Sequence, residues 1–419
     1  MRPFFQKELW TRELLAWYLY DFANSFVYIN VTLYFSQWVV VDKGLTDFWF
    51  SVPFIIATIV LIFTSSLVGN RGDRTGAHGT IFLYATLVTL ISFVSMFLVG
   101  RFLPSPTGPF LALFFFGLYQ LGYLLSFVPY STFMKYISPP HLYGAVSGIG
   151  FGFSEVGHIA GLLLTLPVTQ GAWTIFGTDR LAPLVPAFFA FLLFALPALF
   201  VFSKRRFPPV ENGSSVSWWK TFWRHLMESR SIVGVFPLLL AFYFFSDALQ
   251  TVSLYSAIYL EKVFSAPDTT KVIMFILVLC GFAVGSFISA MLCDRLGHRK
   301  VLTHFLIWSG LTIIGLALAG SIGFLYPIFV FFGTAAGGVY ASSRSYLASL
   351  IPQEESGKFF GLYTFAERFA SIIGPAVWGI IIILFAGITP SNYRIAAGVM
   401  GLIALLGIIP LRNRDKRIE

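Results

Sequence analysis

The chain has 419 residues, of which 57% are hydrophobic and only 11% charged, and its mean hydropathy is +0.79. That leaves too little polar surface for a soluble globule. The formal charge of +9 would suit a nucleic-acid partner, but the basic residues are spread along the loops of the chain instead of forming one patch.

Bilayer hydrocarbon is about 30 Å thick, so a spanning helix needs roughly 20 apolar residues. Twelve apolar runs meet that length, near residues 14–41, 48–69, 80–103, 110–136, 144–168 and 181–203, then 232–262, 271–292, 301–320, 323–350, 358–386 and 392–411. The expected fold is therefore an all-α membrane protein of twelve transmembrane helices in two six-helix bundles. The bundles cover 1–203 and 231–419, and 204–230 form a cytoplasmic linker. Placing both termini inside leaves Lys43, Arg101, Arg180, Lys262, Lys271 and Arg394 as the outer basic residues and puts most of the others on the cytoplasmic side, the asymmetry that sets orientation. The first span is long and carries Asp21, so it reads as a retained helix and not as a signal peptide.

The leader, residues 1–13, alternates bulky apolar residues with Lys7, Glu8, Arg12 and Glu13, which suits a helix lying at the membrane interface. In the first span, Asp21, Asn24, Ser25, Tyr28 and Thr32 fall at i, i+3, i+4, i+7 and i+11, one polar stripe on an otherwise apolar helix. A charge in the bilayer costs at least a few kcal/mol, so the stripe should face protein or a wet cavity.

After the second span comes the charged turn Gly69-Asn-Arg-Gly-Asp-Arg-Thr-Gly76. The fourth span carries a second stripe, Tyr119, Tyr123, Ser126 and Tyr130, able to stack on a sugar or a cation. The fifth is rich in glycine (Gly148, Gly150, Gly152, Gly157 and Gly161), which lets helices approach closely, and holds Glu155 and His158 one turn apart. A buried carboxylate beside a histidine is a candidate proton relay.

The linker carries Pro208-Pro209 and Asn212-Gly-Ser-Ser215, a flexible composition, and then an amphipathic segment with Trp218, Phe222 and Leu226 on one face. The seventh span repeats the first, Asp247, Gln250 and Thr251 taking the spacing of Asp21, Asn24 and Ser25. The next charged turn, Ala290-Met-Leu-Cys-Asp-Arg-Leu-Gly-His-Arg-Lys300, repeats Asp73-Arg74-x-Gly76 as Asp294-Arg295-x-Gly297. Such internal copies imply pseudo-twofold symmetry between the halves. The tenth span holds Arg344, and the eleventh holds Glu367 and Arg368 in a Phe-Ala-Glu that copies Phe153-Ser-Glu155. Arg344 could clamp a substrate carboxylate or neutralise Glu367 or Asp247. Cys280 and Cys293 lie about 20 Å apart on one helix, too far for a disulfide. No metal-spaced Cys/His cluster, nucleophile elbow, phosphate loop or dinucleotide fingerprint occurs, so no cofactor, metal or enzymatic activity is expected.

The charged turns, the twelve spans in two repeats and the basic central loop together resemble the major facilitator superfamily. More narrowly, Trp17-Tyr-Leu-Tyr-Asp-Phe-Ala-Asn-Ser25, Ser343-Arg-Ser-Tyr346, Ile351-Pro352, Phe359-Phe360-Gly361-Leu362-Tyr363 and Gly374-Pro375 are similar to the vacuole effluxer-like subfamily. The resemblance implies secondary transport by alternating access, with a central site and amino acids as a substrate class. It also implies gating by Asp73, Arg74, Asp294 and Arg295. One departure stands out: the first turn ends Gly76-Ala-His78 where the superfamily has two basic residues, which implies an inner gate held less tightly.

On this reading Asp21, Asn24, Tyr28, Tyr123, Asp247, Gln250 and Arg344 are candidate substrate ligands, and Glu155, His158 and Glu367 candidate proton carriers. The partners expected are a small solute, protons or Na+, and the bilayer, most simply a bacterial inner membrane in which the chain sits as a monomer. Sugars, drugs, peptides and lipid-like solutes remain alternatives, as does a non-transporting receptor on the same fold.

Overall fold

A computed structural model describes residues 7–139, 142–208, 218–351 and 356–412. Helices run α1 Arg12–Asn30, α2 Asp47–Thr75, α3 His78–Phe102, α4 Thr107–Ile137, α5 Tyr143–Thr169 and α6 Leu184–Phe202. They continue as α7 Trp218–Glu228, α8 Val235–Phe264, α9 Asp268–Leu296, α10 His298–Leu318, α11 Leu325–Leu350, α12 Ser356–Leu384, α13 Ser391–Leu406 and the short α14 Ile408–Arg412. Among the described residues eleven helices are long and apolar enough to cross a bilayer. The twelfth span is α1 with its continuation to Asp42, whose early turns carry Arg12, Glu13 and Asp21.

Helix is the only local solution that satisfies every main-chain group of a single span inside lipid. The chain keeps to that rule where α1 loosens into π-turns at Val31–Phe35 and Trp38–Asp42. There Ser36 Oγ donates to Thr32 O at 2.6 Å and Gln37 Nε2 to Leu33 O at 2.7 Å, so side chains cover carbonyls on the widened turns. The first turn of α1 is capped by Thr11, whose hydroxyl accepts from Leu14 N at 3.2 Å.

Two compact units result, Met1–Leu45 with Val52–Ser214 and Thr46–Ser51 with Ser215–Glu419. In the first, α1 packs on α5 and α6, and α3 on α4. In the second, α8 packs on α12 and α13, while α11 packs on α9 and α10. The first helix of each unit thus lies against the fifth. Of the five glycines on α5, Gly150, Gly157 and Gly161 do the packing: a Cβ at Gly157 would stand 2.5 Å from Phe22 O, whereas Gly148 and Gly152 face open space.

The residues between α6 and α7 are held at both described ends. Phe207 donates its N–H to Gly76 O at 3.0 Å and stacks on Phe133, and Arg205 pairs with Glu13 at 2.5 Å. On the other side Phe222 of α7 meets Phe365 of α12 with ring centroids 4.2 Å apart. The amphipathic segment expected around Trp218, Phe222 and Leu226 is the helix α7. Residues 209–217, with Pro209 and Asn212-Gly-Ser-Ser215, lie outside the described part, as do the side chains of Trp218 and Asp294 and residue Pro352.

Four of the six basic residues that the sequence reading places outside are anchored. Lys271 is fully buried between Glu261 and Asp268, Arg180 meets Asp42 at 2.5 Å, Arg101 pairs with Asp179, and Arg394 donates to Ala317 O and Ala319 O. Cys280 and Cys293 are both free thiols.

Candidate functional site

In the N-terminal unit the polar stripe of α1 faces α5. Ser25 Oγ and Ser154 Oγ are 2.6 Å apart, and on the next turn Asn30 accepts from Thr165 at 2.6 Å. This contact places Asp21, one turn before Ser25, beside the part of α5 that carries Glu155 and His158, and both of these act on the charge of Asp21. Glu155 Oε2 and His158 Nδ1 stand 3.5 Å apart, and neither atom completes a hydrogen bond. His158 also meets the edge of Tyr28 at 6.3 Å, and Tyr28 stacks on Tyr123 of α4 at 5.8 Å. Tyr119 extends the stack at 6.2 Å from Tyr123.

Tyr130 closes this cluster from α4. Its ring lies flat on Trp17 at 4.5 Å with 2° between the planes, and Trp17 Nε1 donates to its carbonyl at 2.9 Å. Its hydroxyl comes alongside Asp21. Five of the residues singled out in the sequence, Asp21, Tyr28, Tyr123, Glu155 and His158, are therefore brought together by α1, α4 and α5. Asn24 is not one of them: it is 2% exposed and donates to Tyr20 O at 2.8 Å, a bond within its own helix.

In the C-terminal unit the copied stripe on α8 faces α12. Asp247 is 1% exposed and its Oδ1 accepts the N–H of Gly374 at 2.7 Å. Gln250 spans the same joint, donating to Glu367 O at 2.8 Å and accepting from Ser371 Oγ at 2.5 Å. The Glu367 carboxylate accepts from Tyr340 of α11 at 3.0 Å. Arg344, one turn further along α11, is exposed, acts on Tyr340 and Tyr363, and forms no ion pair among the described residues. The buried Arg344 pair with Glu367 or Asp247 that the sequence allowed is not formed, since Tyr340 and Gly374 already occupy those two carboxylates.

The first charged turn is closed from within. Asp73 Oδ1 lies 2.9 Å from Nε2 of His78, a ring that is 2% exposed and backed by the edge of Phe207. Gly76 and Gly297 take positive φ, 65° and 85°, at the two reversals. Arg74 and Arg295 are exposed.

A site the sequence did not signal is Asp47, at the start of α2. It is fully buried, accepts from Tyr393 OH at 2.7 Å and from Trp378 Nε1 at 3.3 Å, and its carbonyl accepts from Tyr255 OH. Tyr255 and Trp378 stack at 4.9 Å around it. A lone Asp at a helix start reads as an ordinary partner of the helix dipole, and its three donors lie far along the chain.

Among the described residues no three His, Cys, Asp or Glu side chains converge as metal ligands. The family model described as "Vacuole effluxer Atg22 like" matches residues 141–411. The chain belongs to the vacuole effluxer Atg22-like family. The match takes in the linker and most of the C-terminal unit, with the α8–α12 joint and Arg344. The effluxer-like chain is 25% identical over 385 residues to the uncharacterized MFS-type transporter YxiO of Bacillus subtilis (strain 168), covering 87% of both chains. It is 27% identical over 296 residues to Autophagy-related protein 22 of Botryotinia fuckeliana (strain B05.10), covering 62% of this chain and 42% of that one. It thus spans well under half of that fungal relative's length.

The solved structure of the nucleoside transporter NupG superposes with a TM-score of 0.70 at 13% identity, covering 96% of this chain and 100% of that one. A bacterial homolog of the human lysosomal transporter Spinster gives 0.69 at 14% identity, covering 95% of both chains. At such identity the likeness establishes the major facilitator fold alone. The effluxer-like chain is a multi-pass integral membrane transporter.

Proposed function

We propose that the protein is a secondary active transporter of a small zwitterion, an amino acid or a close relative, working by alternating access and coupled to protons. One observation supports the substrate class above the others: among the described residues neither the Asp21 carboxylate of the first unit nor the Arg344 guanidinium of the second has an ion-pair partner. A carboxylate favours an ammonium, and an exposed guanidinium favours a planar carboxylate held by two parallel hydrogen bonds. Membership of the vacuole effluxer Atg22-like family is consistent with a solute leaving a compartment.

In this reading Asp21, Tyr28 and Tyr123 are ligands for an ammonium and Arg344 for a carboxylate, while Asp247 and Gln250 join α8 to α12. Glu155, His158 and Glu367 carry the coupling proton, Glu155 and His158 being adjacent and short of partners. Asp73, Arg74, Asp294 and Arg295 control the exchange of access. Both termini sit on the cytoplasmic side of a bacterial inner membrane, with the chain as a monomer. The units 1–203 and 231–419 move about the linker 204–230.

A panel of the protein's possible solutes, scored by thermal stabilisation of purified protein, tests the class, because a specific binder raises the unfolding midpoint by mass action. L-amino acids should raise it and sugars and nucleosides should not. Stabilisation by a neutral sugar and by no amino acid would overturn the reading.

A further inference from the structure

We infer that the N-terminal unit carries a subsite for a primary ammonium group, built on Asp21 and the Tyr130 hydroxyl and walled by Tyr28 and Tyr123. The inference deepens the zwitterion reading and rests on it.

The observation that points to a ligand is the Tyr130 hydroxyl. Tyr130 is 5% exposed and its oxygen is buried alongside Asp21, yet among the described residues it completes no hydrogen bond. The ring cannot swing to find a partner, because Trp17 covers its face at 4.5 Å and ties its main chain through Nε1. Trp17 is itself seated on α5, where Gly150 leaves room for the indole: a Cβ there would stand 2.5 Å from the ring. The clamp holds the hydroxyl beside Asp21. Buried polar groups without partners are uncommon in native folds and call for an explanation. Here Glu155 Oε2 has the same unmet capacity within range of Asp21.

The chemistry of these groups selects the guest. Two carboxylates and a phenolic oxygen accept hydrogen bonds, and among the described residues the one basic side chain acting on Asp21 is His158. An ammonium offers three N–H donors and no acceptor, so a primary amine can bond Asp21 and Tyr130 and turn its third donor towards Glu155. The stacked pair Tyr28 and Tyr123 supplies aromatic faces that attract a cation. A quaternary ammonium carries no donors and would leave the three oxygens unmet.

The test uses full-length purified protein and three probes that each carry one charge: 2-phenylethylamine, its N,N,N-trimethyl derivative and 3-phenylpropionate. The unfolding midpoint should rise with 2-phenylethylamine and not with the trimethyl derivative. Asp21→Asn and the nearly isosteric Tyr130→Phe should each weaken the amine at least tenfold while leaving the response to 3-phenylpropionate as in wild type. The ligand-free midpoint and elution profile of each variant report folding, and Tyr130→Phe keeps the Trp17 stack. Equal binding of the trimethyl derivative, or an amine response that survives both substitutions, overturns the subsite. So does a protein that binds amino acids and 3-phenylpropionate but not 2-phenylethylamine, in which case the zwitterion reading stands. Silence towards all three probes and every amino acid removes that reading and the subsite with it.

Discussion

Asp247 on α8 accepts the main-chain N–H of Gly374 on α12 at 2.7 Å, with 1% of its surface exposed. The bond joins two helices at the turn before Pro375, where α12 gives up one of its own hydrogen bonds. A Cβ at Gly374 would stand 2.1 Å from Thr251 Oγ1 and 2.8 Å from Asp247 O. Gly374→Ala is therefore expected to destabilise the protein by about 1–3 kcal/mol through overpacking. Adding Thr251→Ala should return part of that loss, because the two positions share a contact. Thermal unfolding of the two single variants and the double variant in one detergent checks both statements.

Asp47 makes a second, independent prediction. Its carboxylate depends on Tyr393 at 2.7 Å and Trp378 at 3.3 Å. Tyr393→Phe removes the shorter bond and leaves a buried oxygen short of a donor, a cost of about 1–3 kcal/mol. Asp47→Asn combined with Tyr393→Phe should cost less than the sum of the single changes, since the charge that needed the donor is gone. Additive losses would mean that the two residues do not act together.

What the sequence could and could not reveal follows from the physics of each signal. Spans were legible because lipid demands apolar length, and the α1 and α8 stripes because helical spacing puts Asp21, Asn24 and Ser25, or Asp247, Gln250 and Thr251, on one face. The direction of that face was legible only as "inward": that Asp247 turns to Gly374 while Asp21 keeps to Tyr130 depends on where α12 and α4 pass. Asp47 was illegible, since Tyr255, Trp378 and Tyr393 reach it across 208, 331 and 346 residues of chain. The π-turns at Val31–Phe35 and Trp38–Asp42 contain no glycine or proline to announce them. His78 was read as a missing basic residue, and the fold gives it a partner in Asp73.

That partner shapes the prediction for gating. Asp73 is 46% exposed and Asn keeps an oxygen able to accept from His78, so Asp73→Asn should change the unfolding free energy by no more than about 0.5 kcal/mol. Uptake into proteoliposomes should nevertheless fall at least fivefold, with ligand-induced stabilisation retained. A variant that transports at the wild-type rate would remove Asp73 from the gate.

Proton coupling is expected to fail at one residue before solute exchange does. Glu155→Gln removes the charge beside His158 and keeps the side-chain shape. Solute exchange across a membrane should persist in this variant, while solute-driven acidification or alkalinisation of the vesicle lumen should vanish. A pH signal equal to wild type would assign the proton elsewhere.

On the proposed reading Arg344 takes the carboxylate of the solute. The most direct measurement of that role is amino-acid uptake into proteoliposomes under an imposed pH gradient, comparing wild type with Arg344→Gln, a change at an exposed side chain without an ion pair among the described residues. The account predicts concentrative uptake by wild type and a loss of at least tenfold in Arg344→Gln with an unchanged unfolding midpoint. Wild-type uptake by Arg344→Gln would contradict it.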